Sequence, residues 1–273
     1  MNMLSDKNPT ALHRRRKAAR LIRRAKLVLM MLTLLAWPLW PVAAAAQSVA
    51  QSREYDQCIE LAMREPEAAF ERAIAWRDLG GGVAARHCVA VALYGLGQFR
   101  ESALRLERLV QDKVNTGLQI SLLSQAGNAW LMAEEYERAH AVLSAGLELA
   151  PDHPDLLIDR SLVYAAAENY WETVDDLNRA LDIDPDNGDA LVFRASAYRY
   201  LDSLDLAADD VNRALSFKPA HVAAYLERGI IRRLSNNPNG AREDWLHTIK
   251  LAPDSPAAEA ARRNLEMLDI KAQ

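Results

Sequence analysis

The chain is poor in the side chains that most often carry chemistry, with two cysteines and six histidines in 273 residues. His13, His87, His140, His153, His221 and His247 are scattered. None has a second His or a carboxylate at ligand spacing on one helix face, so no metal site is expected. His87-Cys88 lacks the preceding cysteine of a haem-attachment motif. Gly80 to Gly82 lacks the Lys-Ser/Thr of a phosphate loop and follows a helical stretch where such a loop follows a strand, so it reads as a helix-to-helix turn. No catalytic residue, cofactor or small-molecule substrate is expected. Acidic residues are nearly missing from the first 46 positions, which hold 1 of the 37 Asp+Glu but 9 of the 33 Lys+Arg. From Gln47 onward 24 basic residues meet 36 acidic ones. So acidic a body excludes nucleic acid as the ligand, because binding phosphates needs a basic footprint.

The first 46 residues have the layout of an address. Arg14, Arg15, Arg16, Lys17, Arg20, Arg23, Arg24 and Lys26 form a basic segment, and no charge follows from Leu27 to Ala46. The apolar run Leu27 to Leu39, the breakers Pro38 and Pro41, and the small residues Ala43 to Ala46 complete the order of a secretory signal peptide cut after Ala46. No Cys lies near that cut, so a cysteine-linked lipid anchor is not expected. The alternative is an uncleaved signal anchor, since Leu27 to Ala46 is also about the ~20 residues that span a bilayer. Either way the body is expected outside the cytoplasm: periplasmic, or inner-membrane anchored with the repeats in the periplasm. The membrane would then be touched only through this segment.

A period of 34 organises the rest. Pro151, Pro185, Pro219 and Pro253 follow one another at that step. One small slot reads Gly127, Ser161, Ala195, Gly229, and a second reads Ala139, Thr173, Ala207, Ala241. Small residues let two antiparallel helices approach closely. Apolar slots read Leu123, Leu157, Leu191, Tyr225, then Leu143, Leu177, Val211, Trp245, then Leu147, Leu181, Leu215, Ile249. They recur at helical spacings of three, four and seven. Breaks fall near Glu134-Glu135, Glu168-Asn169, Asp202-Ser203 and Asn236 to Gly240, and before each proline, where the preceding residue disfavours the α region. Two helices per unit follow. Upstream, Ala90, Phe99 and Leu106 precede Gly127, Tyr136 and Leu143 by 37, so a unit at about 83–116 is followed by three extra residues that a longer loop is expected to absorb.

This pattern of small, aromatic, small and terminal proline positions resembles the tetratricopeptide repeat (TPR). Gly127, Trp130, Tyr136, Ala139 and Pro151 carry the resemblance in one unit, Tyr164, Tyr170, Ala180 and Pro185 in the next, and Ala195, Tyr198, Ala207, Ala214 and Pro219 in the third. The fourth keeps Gly229, Ala241 and Pro253, but Arg232 and Pro238 depart from it, so a distorted turn is expected there. The resemblance implies an all-α, right-handed superhelical solenoid of antiparallel helix pairs. Divergent helical repeats occupy 47–119, four 34-residue units 120–253, and a capping helix 254–273, with Ser255-Pro256 as its start. It also implies that the first helix of each unit lines a concave face. That face maps to Ser124, Asn128, Leu131, Ile158, Leu162, Val192, Ser196, Arg199, Leu226, Ile230 and Arg233, a mostly apolar groove with an arginine rim for an extended or helical peptide. The same side chains could instead pack on neighbouring helices. The family's clamp for C-terminal carboxylates is not expected, because Ser124 and Asp159 stand where a basic residue and an Asn belong.

Arg160, Arg194 and Arg228 also step by 34, each sixteen residues before Asp176, Asp210 and Asp244. Ala126 and Val142 replace both members in the preceding unit, as a direct ion pair requires. An arginine ladder for an acidic ligand is the other reading. Cys58 and Cys88 fall in the exported body on helices of adjacent units, so a disulfide is expected in an oxidising compartment. Their alternative is to pack as buried small hydrophobes. The function implied is a non-catalytic protein-protein interaction scaffold of the bacterial cell envelope with an unidentified protein or peptide partner; the alternative is an accessory subunit of an envelope enzyme or assembly complex.

Overall fold

A computed structural model describes residues 53–271, which fold as thirteen helices and no strand. Contacts divide the chain between Gln57 and Cys58, and the architecture below is that of the unit from Cys58 onward. The signal segment and its cut lie outside the described residues. Among the described residues no helix is long and apolar enough to cross a membrane. The helices are α1 (53–64), α2 (Pro66–Asp78), α3 (Gly82–Gly95), α4 (Phe99–Val110), α5 (Thr116–Met132), α6 (Tyr136–Leu149), α7 (Pro154–Ala166), α8 (Tyr170–Ile183), α9 (Gly188–Tyr200), α10 (Leu204–Phe217), α11 (Val222–Leu234), α12 (Pro238–Leu251) and α13 (Pro256–Lys271). From α2 onward each helix packs antiparallel on the next. From α5 onward the first helices of successive pairs also touch one another, whereas the second helices do not, so α5, α7, α9, α11 and α13 form an inner layer and α6, α8, α10 and α12 an outer one.

Two kinds of punctuation set the helix ends. Ala150, Asp184, Lys218 and Ala252 each precede a proline and leave the helical region, with φ between -147 and -124 and ψ of 73 to 84. A following proline ring disfavours the α region at these positions. Between the two helices of a pair, Glu134, Glu168, Asp202 and Asn236 take φ of 60, 61, 57 and 58, and Gly97 takes 71 at the corresponding upstream position. The next residue then donates its N–H back across the turn, as from Glu135 to the Trp130 carbonyl at 3.0 Å and from Asn169 to the Tyr164 carbonyl at 2.8 Å. This 6→1 bond is the Schellman closure of a helix end. The turn at Asn236 is the same as the others: Pro238 stands at the first helical position of α12, where its missing N–H costs nothing. Arg232, in place of an aromatic residue, pairs with Asp244 at 2.9 Å and donates to the Gly240 carbonyl. The expected distortion there is therefore absent. The three extra residues also differ from expectation. They lengthen α5 to 17 residues against 13 in α7, with the Asn115 side chain accepting from the Leu118 N–H at 2.9 Å as its cap.

The small slot of each first helix faces the large slot of its partner. A Cβ on Gly127 would overlap Leu143, and one on Gly229 would overlap Trp245. Where the small residue grows to Ala195, the facing residue shrinks to Val211. Leu143, Leu177, Val211 and Trp245 are fully buried, each burial contributing roughly 2 kcal/mol. At the C-terminal end the Ser255 Oγ accepts from the Ala258 N–H, and Ala261 of α13 packs on Trp245.

Polar staples cross these apolar layers. The Arg160 Nε and Nη2 donate to both carboxylate oxygens of Asp176 at 2.7 and 2.8 Å, Arg194 to Asp210 at 2.8 and 2.7 Å, and Arg228 to Asp244 at 3.0 and 2.7 Å. The remaining Nη1 of each reaches back to the preceding pair, to Ser144, Asn178 and Asn212 respectively. Every fork is thus engaged inside the array, which removes the alternative of an arginine ladder for an acidic ligand. Of Asp175-Asp176 and Asp209-Asp210, only the second member of each is buried and paired. Cys58 of α1 and Cys88 of α3 are both fully buried and form a disulfide, with Cα atoms 6.2 Å apart.

Two measurements check these ties. In a double-mutant cycle, Arg194→Ala and Asp210→Ala taken singly will each destabilise more than the pair together, by about 1 kcal/mol, because one change alone strands a buried charge. Additive effects would reject the coupling. Reduction closes no loop across the 30-residue separation of Cys58 and Cys88, so urea unfolding in reductant should lose about 3 kcal/mol from the N-terminal pairs. Superimposable curves would show that the bond contributes nothing.

Candidate functional site

The inner-layer helices present a line of side chains that neither solvent nor the core fully claims. Leu131, Ile158, Leu162, Leu226 and Ile230 are half-buried, as are Ser124, Asn128, Ser196 and Arg233, and Val192 is buried at 6% exposure. Val192 therefore serves the core. Arg199 is not an open rim cation either: it is paired with Glu227, donates to the Ser196 hydroxyl at 3.1 Å, and lies 4.2 Å over the Tyr200 ring. Burial raises the Glu227 pKa, and the Arg199 charge and hydrogen bond oppose that rise.

Between α3 and α5 the first helices do not pack side by side as they do further along, and the lengthened α5 stands at this junction. A cavity of about 280 Å³ fills the space, lined by Val91 and Tyr94 of α3, Ser102 and Leu106 of α4, and Gln125 and Asn128 of α5. A hydrogen bond of 2.8 Å from His87 to Gln125 bridges the two helices. Burial lowers the His87 pKa, with the Gln125 bond acting the other way.

Next to the cavity, across α5 and α7, lies Asp159. The Ser124 hydroxyl donates to its Oδ2 at 2.6 Å, and Asn128, which also lines the cavity, hydrogen-bonds it too. Asp176, Asp210, Asp244 and Glu227 each have an arginine. Among the described residues no Lys or Arg pairs with Asp159. Burial accordingly raises its pKa; the Ser124 and Asn128 bonds lower it, Asp155 one turn earlier raises it, and His153 lowers it.

No protein-family model and no curated protein matches this sequence. Solved structures do. MamA from Desulfovibrio magneticus RS-1, residues 41 to the end, is similar with a TM-score of 0.52 at 17% identity, over 71% of this chain and 99% of that one. Another MamA structure gives 0.51 at 15% identity, over 60% and 94%. YrrB, a TPR protein with an unusual peptide-binding site, gives 0.48 at 18% identity, over 71% and 98%. Helix pairs stepping by 34, closed alike and stacked as in MamA, decide the architecture. This is a tetratricopeptide-repeat fold.

Within the TPR array, the positions of Asn128 and Leu131 recur 37 residues earlier as Val91 and Tyr94, both on the cavity wall. The register jog was the signal that could have placed them on the same face. No pattern in the sequence marked Asp159 as a carboxylate without an arginine. Its raised pKa fixes the sign of a pH effect. A carboxyl whose folded pKa lies above its unfolded value contributes stability that is fully present below the unfolded value near 3.8 and is lost as pH rises through the folded value. Asp159→Asn should therefore be more stable than the parent at neutral pH, and the difference should vanish at about pH 3, where the carboxyl is neutral as well. Thermal unfolding at both values checks this; a variant less stable at neutral pH would contradict it.

Proposed function

We propose that this TPR protein is a non-catalytic interaction scaffold of the bacterial cell envelope that holds a segment of another polypeptide on its inner face. The observation that carries the reading is the line of half-buried apolar side chains, Leu131, Ile158, Leu162, Leu226 and Ile230, running past an apolar cavity at Val91, Tyr94 and Leu106. Side chains poised this way gain further burial when a peptide lies along them, which is how helix-lined grooves recognise apolar anchors. The envelope location rests on the first 46 residues, whose basic, apolar and small-residue order fits an export signal.

Position-specific photo-cross-linking tests both parts. A photoreactive residue at Leu162 should yield an adduct with another polypeptide in the envelope fraction, while one at Asp209, exposed on α10, should not. The intact mass of the recovered protein should begin at Gln47, or include Leu27 to Ala46 if the segment stays as an anchor. Equal labelling from Asp209, or a full-length chain confined to the cytoplasm, would contradict the reading.

A further inference from the structure

The acidic surplus of the body is not spread along the array. Residues 133–190 contain 15 acidic residues and 3 basic ones, which equals the whole surplus of 12 found from Gln47 onward. The segments on either side are close to balanced. The acidic stretch comprises α6, α7, α8 and the turn into α9, so it includes both turns that flank α7. Exposed carboxylates stand on one side at Asp152, Asp184 and Asp186, and on the other at Glu134, Glu168 and Glu172. Asp155 and Asp159 share the inner face of α7 between them.

At the same place the array leaves one interaction unfinished. Asp159, half-buried, is held by two neutral donors, Ser124 and Asn128, while the buried carboxylates Asp176, Asp210 and Asp244 have arginine forks. A carboxylate withdrawn from water without a counter-charge is costly, and a cation placed beside it removes that cost. Asn128 joins this carboxylate to the apolar cavity, since its side chain bonds Asp159 and lines the space beside Val91, Tyr94 and Leu106. Asn128 therefore stands between an apolar socket and a carboxylate lacking its cation.

We propose that the occupant of this groove is a Lys- or Arg-rich segment of another protein, which seats an apolar side chain in the cavity and a neighbouring cation at Asp159. The inference rests on the reading of the inner face as the binding surface and adds the chemistry of what binds there. The apolar anchor gives affinity through burial, and the cation gives selection, because a glutamate at that place would face Asp155 and Asp159 within an acidic rim. The acidic rims also raise the local concentration of basic segments before docking, an effect that salt screens.

Fluorescence anisotropy with three peptides of about ten residues separates the possibilities: alternating Leu and Lys, alternating Leu and Glu, and alternating Ser and Lys. The full protein as recovered from cells should bind the Leu/Lys peptide roughly tenfold more tightly than either of the others, and the affinity should fall several-fold from about 50 to about 300 mM salt. Asp159→Asn should weaken the Leu/Lys peptide about fivefold and strengthen the Leu/Glu peptide; Asp209→Asn on α10 should change neither. Equal affinity for Leu/Lys and Leu/Glu would overturn the basic occupant while leaving the inner-face reading intact. Equal affinity for Ser/Lys and Leu/Lys would reduce the effect to surface attraction and overturn the socket. Self-association through this face, abolished by Asp159→Asn in sedimentation, would overturn it in favour of a second copy. Binding of none of the peptides would overturn it as well, and the cross-link at Leu162 would then decide separately whether the face holds a polypeptide.

Discussion

The arginine forks of Arg160, Arg194 and Arg228 tie each helix pair to itself and to the pair before it, and the regular part of the array depends on that double attachment. Two nitrogens of each guanidinium hold the aspartate across the pair; the third nitrogen reaches the previous outer helix at Ser144, Asn178 or Asn212. A planar fork with a fixed spread of donors imposes geometry that a lysine would not. The apolar slots supply most of the burial, yet they are non-directional. The forks add direction to the packing of α7, α9 and α11. Upstream, where Ala126 and Val142 replace the pair, the regular side-by-side packing of first helices ends, and the cavity between α3 and α5 opens.

That contrast links packing to function. Charges that belong to the fold are matched inside it, as at Asp176, Asp210, Asp244 and Glu227. Asp159 has no such arginine, and it stands beside the opening. The Cys58-Cys88 bond has a complementary part: it fixes α1 on α3 within the cluster of Val89, Leu93, Ile59, Phe70 and Ile74.

Much of this was legible in the residues. The 34-step prolines, the Gly127-to-Gly229 and Ala139-to-Ala241 slots, and the Arg-Asp covariation placed helices, turns and ion pairs, because each reflects a local steric or electrostatic need repeated from unit to unit. What stayed hidden was of a different kind. Glutamates at 134 and 168 gave no sign of positive φ, since the turn is closed by backbone hydrogen bonds that no side chain announces. The insertion before Leu118 lengthened a helix instead of a loop because Asn115 capped it, a competition between cap and coil that spacing alone does not settle. The third arm of each fork was present as Ser144, Asn178 and Asn212 at the same period, but polar residues on an outer helix read as solvated surface. Arg199 looked like a rim cation because its partner Glu227 lies on the next unit, 28 residues away and outside the repeat step.

Hydrogen-deuterium exchange of the Asn178→Ala variant tests the double attachment most directly. Asn178 sits on α8, and its hydrogen bond to Arg194 crosses to the next pair, so its loss should speed amide exchange in α9 and α10 as well as in α8. Faster exchange confined to α8 would show that the forks act only within their own pairs, and would contradict the account.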